Sequence, residues 1–285
     1  MKDLAYYNGN IAPIADMMIP MNDRAVYFGD GVYDVAYVHN HRPFALMDHV
    51  DRFFSSCALL EIAIPYRKPE LAALLTGLID RLDGDIMDAV LYFQMSRGTD
   101  TRSHAFPAPG VAPNLLIYLK AFDPHATPDE FRLITLEDTR FLHCNIKSLN
   151  LIPNVIATQR AKEKGCDECV LHRGEHVTEC AHSGLSILTR GSIVTTPLSG
   201  WVLPSITRKH LLETAAELGV PVEERLYTLR ELTDADEIIV TSSLTLFTRV
   251  YEIDGQAVGG RDRPLYQRLA ETYRKRFLRE TESET

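Results

Sequence analysis

One lysine, Lys147, stands in the stretch HCNIKSLNLIPN, His143 to Asn154, among small polar and aliphatic residues and with no acid nearby. A free lysine titrates at about 10.4, and burial or a neighbouring cation pushes it toward the neutral form. A neutral amine attacks aldehydes and takes protons. The competing reading is a loop lysine that points into water.

Three further stretches hold groups of complementary chemistry. In VTECAHSG, Glu179 ends a short strand among small residues. It is either a solvated turn carboxylate or a buried one that needs a cationic partner, such as a protonated pyridine nitrogen. In LPSITRKHLLETAAELG a helix is expected to start at Thr207, with Ser205 helping to cap it. The open amides of a helix start suit a phosphate, although most helix starts bind nothing. FQMSRGTDTRSHAFPAPG sets Arg97, Arg102 and His104 in a loop after an apolar strand. That loop is a carboxylate clamp or a solvated basic turn. An amine for an aldehyde, an acid for a ring nitrogen, a helix start for a phosphate and cations for a carboxylate together match a pyridoxal-phosphate enzyme acting on an amino acid.

The elements that position these groups are readable from patterning. Asn8-Gly9 and the stretch His39 to Arg42 each join strand-like runs as hairpin turns. From Met47, the residues Val50, Phe53, Phe54, Cys57, Leu60 and Glu61 recur at helical spacing, with Asp48 as N-cap or first-turn acid. KPELAALLTGLIDRL is a second helix, and AVLYFQMSRG and NLLIYLKAF are apolar strands. DPHATPDE, Asp123 to Glu130, reads as a linker. The strand-like FRLITLEDTR opens the second part of the chain. The helix VIATQRAKEKG ends at Gly165, and that of TRKHLLETAAELG ends at Gly219. EIIVTSSL is a strand running into a polar turn, PLYQRLAETYRKRFLRE is the closing helix, and TESET is expected to be unstructured. The expectation is an α+β protein: residues 1–122 as a smaller N-terminal domain, 123–130 as linker, and 131–285 as a larger C-terminal domain that binds the cofactor.

Composition excludes some classes. Thirty basic against thirty-nine acidic residues leave a formal charge of -9, which disfavours a nucleic-acid surface. No apolar run spans a bilayer and the N-terminus lacks a signal-peptide core, so a cytoplasmic location is expected. The five cysteines are scattered and fit a reducing compartment. Cys166 and Cys169 form C-x-x-C with His172 nearby, but no second ligand pair follows, and no metal is expected.

The sequence resembles the fold-type IV pyridoxal-phosphate enzymes, and among them the D-amino-acid aminotransferases, from about Tyr6 to Phe277. The resemblance rests on DRAVYFGDGVYDV, DHVDRF, RGTDTRSHAFP, IKSLNLIPNVIATQRAKEKGCDECVLHR, VTE, LPSITR and VTSS, in that order. It implies two domains of helices and largely antiparallel strands with the cofactor between them. Lys147 matches the lysine that forms the Schiff base and shuttles the proton. Glu179 matches the acid that keeps the ring nitrogen protonated. Arg52, Ile206, Thr207, Ser242 and Ser243 match phosphate and ring contacts, and Leu203 matches a leucine on the ring face. Tyr33, Arg102 and His104 match the set that traps the substrate carboxylate; the last two come from the partner subunit, which implies a homodimer.

The run TRSH, Thr101 to His104, moves the reading from the related branched-chain L-aminotransferases, R-selective amine transaminases and aminodeoxychorismate lyases to the D-specific enzymes. The non-enzyme alternative is a silent protein that only binds the cofactor. The implied reaction is transfer between a D-amino acid and a 2-oxo acid, of the D-alanine and 2-oxoglutarate type. Three features depart from the family pattern. CAHSG, Cys180 to Gly184, replaces a serine-rich run and asparagine, so that Ala181 and His182 stand where small hydroxyl residues are usual. Ser205 replaces a glycine, which would be strained if that turn required positive φ. Leu244 replaces a hydroxyl residue.

Overall fold

A computed structural model describes residues Met1 to Glu282. The chain forms two compact units, with the division at Pro124, inside the expected linker. The first unit takes Met1–Pro124, Ile146–Asn150 and the segment from Leu278 onward. The second takes His125–Asn145 and Leu151–Phe277. The contiguous domain expected over 131–285 is therefore interrupted: the short segment that carries Lys147 folds with the first unit.

The first unit is an antiparallel sheet of β1 (Asp3–Tyr7), β2 (Asn10–Ala12), β3 (Gly31–His39), β4 (Arg42–Pro43), β5 (Asp88–Ser96) and β6 (Asn114–Ala121), ordered β2-β1-β6-β5-β3-β4. Asn8 and Gly9 have φ of 46° and 98°, and Asn40 and His41 have 51° and 57°. Both hairpins thus use the left-handed pair that matches strand twist. The unit also holds helices α1 (Arg24–Phe28), α2 (Leu46–Leu59) and α3 (Lys68–Ile79). Along α2, Val50, Phe53 and Cys57 are fully buried at three- and four-residue spacing, and the Phe53 ring lies 4.9 Å from that of Phe93 on β5. Val50 and Phe53 each contribute about 1.5–3 kcal/mol by burial. The cap of α2 is Ala45, in the left-handed region, and Asp48 lies in the first turn instead, where its charge suits the helix dipole. Leu60 caps the helix and still packs, partly buried, against the same core, whereas Glu61 turns away at φ 54° and is exposed.

The second half of the chain builds a mixed nine-stranded sheet. It contains β7 (Glu130–Glu137), β8 (Glu168–Arg173), β9 (His176–Cys180), β10 (Gly184–Thr189), β11 (Ser192–Thr195), β12 (Val222–Glu224), β13 (Glu237–Ser242), β14 (Leu246–Ile253) and β15 (Gln256–Ala257). The order is β12-β11-β10-β13-β14-β7-β8-β9, with β15 beside β14. Pairing is parallel at β11/β12, β14/β7 and β7/β8, and antiparallel elsewhere. Its helices are α4 (Ile152–Glu163), α5 (Ile206–Glu217), α6 (Leu229–Thr233) and α7 (Arg263–Thr281). Gly165 and Gly219, at φ 70° and 68°, follow α4 and α5 as the left-handed residues that close a helix. The core of this sheet runs through Val170, Leu185, Ile187 and Val240.

Thr281 belongs to α7 and is fully buried, contrary to the unstructured tail expected from Thr281; residues 283–285 of that tail lie outside the described residues. Cys166 precedes β8 while Cys169 is buried within it, and among the described residues no His/Cys/Asp/Glu cluster could hold a metal ion. No helix among the described residues is long and apolar enough to cross a membrane.

Segment 146–150 is stitched to β3. The Tyr33 amide donates to the Lys147 carbonyl at 2.9 Å and the Leu149 amide to the Gly31 carbonyl at 3.0 Å, around an antiparallel bridge between Val32 and Ser148. Gly31 permits this closeness: a Cβ there would lie 2.5 Å from the Met95 carbonyl oxygen and 2.9 Å from the Leu149 side chain. Gly31→Ala is expected to lower unfolding free energy by about 1–3 kcal/mol through overpacking against backbone, as measured by urea denaturation; an unchanged midpoint would contradict this packing.

Candidate active site

On the first unit, Lys147 is half-buried, and its Nζ lies 4.4 Å from the centroid of the Tyr33 ring. The Lys147 amide donates to the Ser56 hydroxyl on α2 at 3.2 Å. Next to Tyr33 on β3, Asp34 is fully buried and grips the Arg52 fork, accepting from Nε at 2.8 Å and from Nη2 at 2.7 Å. His49, one helical turn before Arg52, places Nδ1 2.8 Å from the same carboxylate. Burial pushes the Asp34 carboxyl up, but Arg52 and His49 outweigh it and hold the group well below the ordinary carboxylate range. Burial also lowers the His49 pKa, Asp34 opposes this, and the Arg52 and Lys147 charges add to the lowering.

The expected carboxylate clamp divides. Arg102 and His104 are exposed and lie on α1: the guanidinium is 5.0 Å from the Phe28 ring and the His104 ring is 5.2 Å from it. Arg97 is not part of such a clamp. It is buried against Asp30, with Nε 3.0 Å from the carboxylate, and acts as a structural ion pair.

On the second unit, the Glu179 side chain is 10% exposed at the end of β9, and Arg140 Nη1 donates to its Oε1 at 2.5 Å. The Leu203 amide donates to both oxygens, at 3.2 and 3.1 Å. Arg140 is also forked onto the fully buried Asp138, which Arg173 and Thr178 support. Burial pushes the Glu179 carboxyl up, and Arg140 and the Leu203 amide pull against it. Burial works against the Arg140 charge, but Asp138 and Glu179 outweigh it and the guanidinium stays charged. The buried carboxylate expected from the sequence therefore already has a cation. Its Oε2 takes only the Leu203 amide among the described residues and retains room for another donor.

Ser205 is the N-cap of α5, accepting from the Arg208 amide at 3.1 Å, at an ordinary φ of -67°. The strain foreseen for a serine at this position is absent, and the helix begins at Ile206. The amides of Ile206 and Thr207 fall in the first turn, where the helix offers them no acceptor. Beside this start, a Cβ at Gly184 would come within 2.8 Å of the Thr241 hydroxyl, which is buried without a partner among the described residues. The Ser242 hydroxyl lies 2.8 Å from that of Thr245 and accepts from the Thr245 amide at 3.1 Å, which shapes the turn that carries Ser243.

Sequence reasoning singled out Lys147, Tyr33, Arg52, Glu179, Leu203, Ile206, Thr207, Ser242 and Ser243 but gave no role to Asp34, His49 or Arg140. The signal for His49 was available as its spacing three before Arg52 on one helix. Nothing local linked Arg140 to an acid thirty-nine residues later.

The Amino-transferase class IV family matches residues 31–253. The chain belongs to that family. It is 36% identical over 272 residues to a D-alanine aminotransferase of Listeria monocytogenes, covering 92% of each chain. It is 34% identical to a D-alanine aminotransferase of Staphylococcus aureus, covering 95% of this chain and 96% of that one. The T.th. branched-chain amino acid aminotransferase, solved with N-(5'-phosphopyridoxyl)-L-glutamate, superposes with a TM-score of 0.85 at 25% identity, covering 95% of this chain and 93% of that one. The α+β architecture is that of a fold-type IV aminotransferase, and the protein is a pyridoxal-phosphate-dependent transaminase that acts on amino and 2-oxo acids. Its residues fit that cofactor: an open helix start, an orphaned buried hydroxyl at Thr241 and a buried carboxylate with a spare acceptor.

Arg140→Met strips two buried carboxylates of their main cation and is expected to cost about 3–5 kcal/mol of unfolding free energy; urea unfolding with little change would show the pairing to be dispensable. The pH dependence follows from the lowered His49 and Asp34 values. A depressed folded pKa leaves the unfolded chain binding more protons, so its stabilisation is present above the unfolded value and is lost as pH falls. For His49 the loss starts below about 6.5 and for Asp34 below about 3.9. The His49 contribution to apoprotein stability should therefore fall between pH 7 and 5, so that His49→Gln has a flatter stability profile over that range than the unmodified protein; an unaltered slope would contradict the buried neutral imidazole.

Proposed function

We propose that the protein transfers the amino group of a D-amino acid, in the first place D-alanine, to a 2-oxo acid such as 2-oxoglutarate. The observation that carries the reading is 36% identity to a D-alanine aminotransferase over 92% of both chains, and the run Arg102-Ser103-His104 supports it. Bound pyridoxal phosphate supplies an aldehyde for amine exchange and a ring that accepts carbanion charge. Lys147 would attach that aldehyde and, once displaced by the substrate amine, carry the proton between the substrate α-carbon and the cofactor C4′. Glu179 would take the ring N–H at Oε2, with Arg140 fixing the other oxygen. Arg52, preset by Asp34, would hold the phosphate together with the Ile206 and Thr207 amides and the Ser242 and Ser243 hydroxyls, while Leu203 packs on the ring.

Tyr33, Arg102 and His104 would hold the substrate carboxylate, the last two reaching it from the partner in a homodimer. The exposure of Arg102 and His104, of Phe106 at 58%, and of Ile152, Val155 and Ile156 along one face of α4 supports a covering partner. The acidic charge and free cysteines fit a cytoplasmic protein without nucleic-acid partners.

The carboxylate set fixes which face of the substrate turns its α-hydrogen to Lys147, so chirality is the test. D-alanine alone, without any acceptor, should convert the absorbance of the loaded enzyme to that of pyridoxamine phosphate, and L-alanine should not. Conversion by L-alanine would instead favour an L-aminotransferase.

A further inference from the structure

His182 is the one exposed residue of a buried turn between β9 and β10. Cys180, Ala181, Ser183 and Gly184 are all buried, while 57% of the His182 side chain is accessible. The turn is pinned from several sides. Asn154 on α4 donates to the Ala181 carbonyl at 2.5 Å, the Ala181 amide to Cys169 at 3.0 Å, and the Cys180 amide to Ser183 at 2.9 Å. Beneath the imidazole sits Glu168, fully buried on β8, with Oε2 2.7 Å from His182 Nδ1. The same oxygen accepts from the Ser183 hydroxyl at 3.0 Å and the His182 amide at 3.3 Å, and Oε1 accepts from the Cys169 amide at 2.8 Å.

A fully desolvated carboxylate is costly to bury. A histidine that merely faced water would not need one. Here the carboxylate fixes the ring: Nδ1 is the N–H donor to Glu168, and in the imidazolium form Nε2 carries a second N–H that can meet a ligand. The position of the turn defines that ligand. Glu179, the proposed ring partner, is three residues upstream. Gly184, two residues downstream, lies against Thr241 and against Ser205, the cap of α5. The turn thus joins the proposed ring and phosphate anchors.

We propose that the Glu168–His182 pair is a specificity-determining element that donates a hydrogen bond from His182 Nε2 to the distal carboxylate of dicarboxylic substrates, the D-glutamate and 2-oxoglutarate class. The inference rests on the aminotransferase reading above. There, the phosphate, the ring nitrogen and the α-carboxylate already have partners, and the second carboxylate is the anionic group that remains. With the imidazole protonated over the Glu168 carboxylate, the pair offers a directed donor and not a net charge, and short substrates such as alanine gain nothing from it.

The test uses half-reactions of the cofactor-loaded enzyme with D-glutamate and with D-alanine. The ratio of the two kcat/KM values is expected to fall about tenfold or more in His182→Ala, the loss of one hydrogen bond to a charged group. Glu168→Gln should lower it in the same direction, since the ring loses its orientation. A second readout needs no turnover. In apoprotein labelled with 15N-histidine, the far-downfield Nδ1–H signal that His182→Gln removes should also vanish in Glu168→Gln. An unchanged ratio, equal loss on both substrates, or a signal indifferent to Glu168 would each overturn the proposal. Failure of the D-specific reading is visible separately, as conversion of L-alanine by the unmodified enzyme.

Discussion

The pairing of segment 146–150 with β3 is the constraint on which the site depends. Two backbone hydrogen bonds and one bridge hold Lys147 against Tyr33. A flexible side chain on a loop would present its amine over a wide volume. Anchored as an added strand, and tied to α2 through the Ser56 hydroxyl, the Lys147 backbone has little freedom, and the side chain lies over an aromatic ring. Positioning of this kind is the part of catalysis that the polypeptide itself supplies. It also explains why a segment late in sequence folds with the first unit.

Around this lysine and around Glu179 one device recurs. A candidate site residue is gripped by a potentially oppositely charged group that is buried beneath or beside it: Asp34 under Arg52, Arg140 beside Glu179, Glu168 under His182. Each buried charge is costly alone and tolerable when forked or multiply hydrogen-bonded. In return, orientation is fixed before any ligand arrives, so no reorganisation is needed during reaction. The three supporting residues touch the groups proposed to meet cofactor or substrate, and they are the ones a reading of site residues alone overlooks.

Much of the fold was legible because its signals are local. The Asn8-Gly9 and Asn40-His41 turns, the α2 face through Val50, Phe53 and Cys57, and the glycines after α4 and α5 each follow from backbone preference or periodicity within a few residues. Ser205 departs from the family pattern in type, yet at φ -67° it simply caps α5. Arg97 looked like part of a clamp because composition near Arg102 is basic, but only the fold shows Asp30 opposite it. Arg140, Asp34 and Glu168 were illegible for the same reason: an ion pair between residues far apart in sequence leaves no spacing to detect. The start of α2 misled in a smaller way, since Ala45 adopts a left-handed cap that its type does not announce.

The central claim is that Lys147 is the amine that binds the cofactor. Borohydride reduction of the loaded enzyme, followed by digestion and peptide mass spectrometry, tests it directly. The account predicts a phosphopyridoxyl group on the peptide that carries Lys147 and on no other lysine. A modification at another lysine, or none at all, would contradict it.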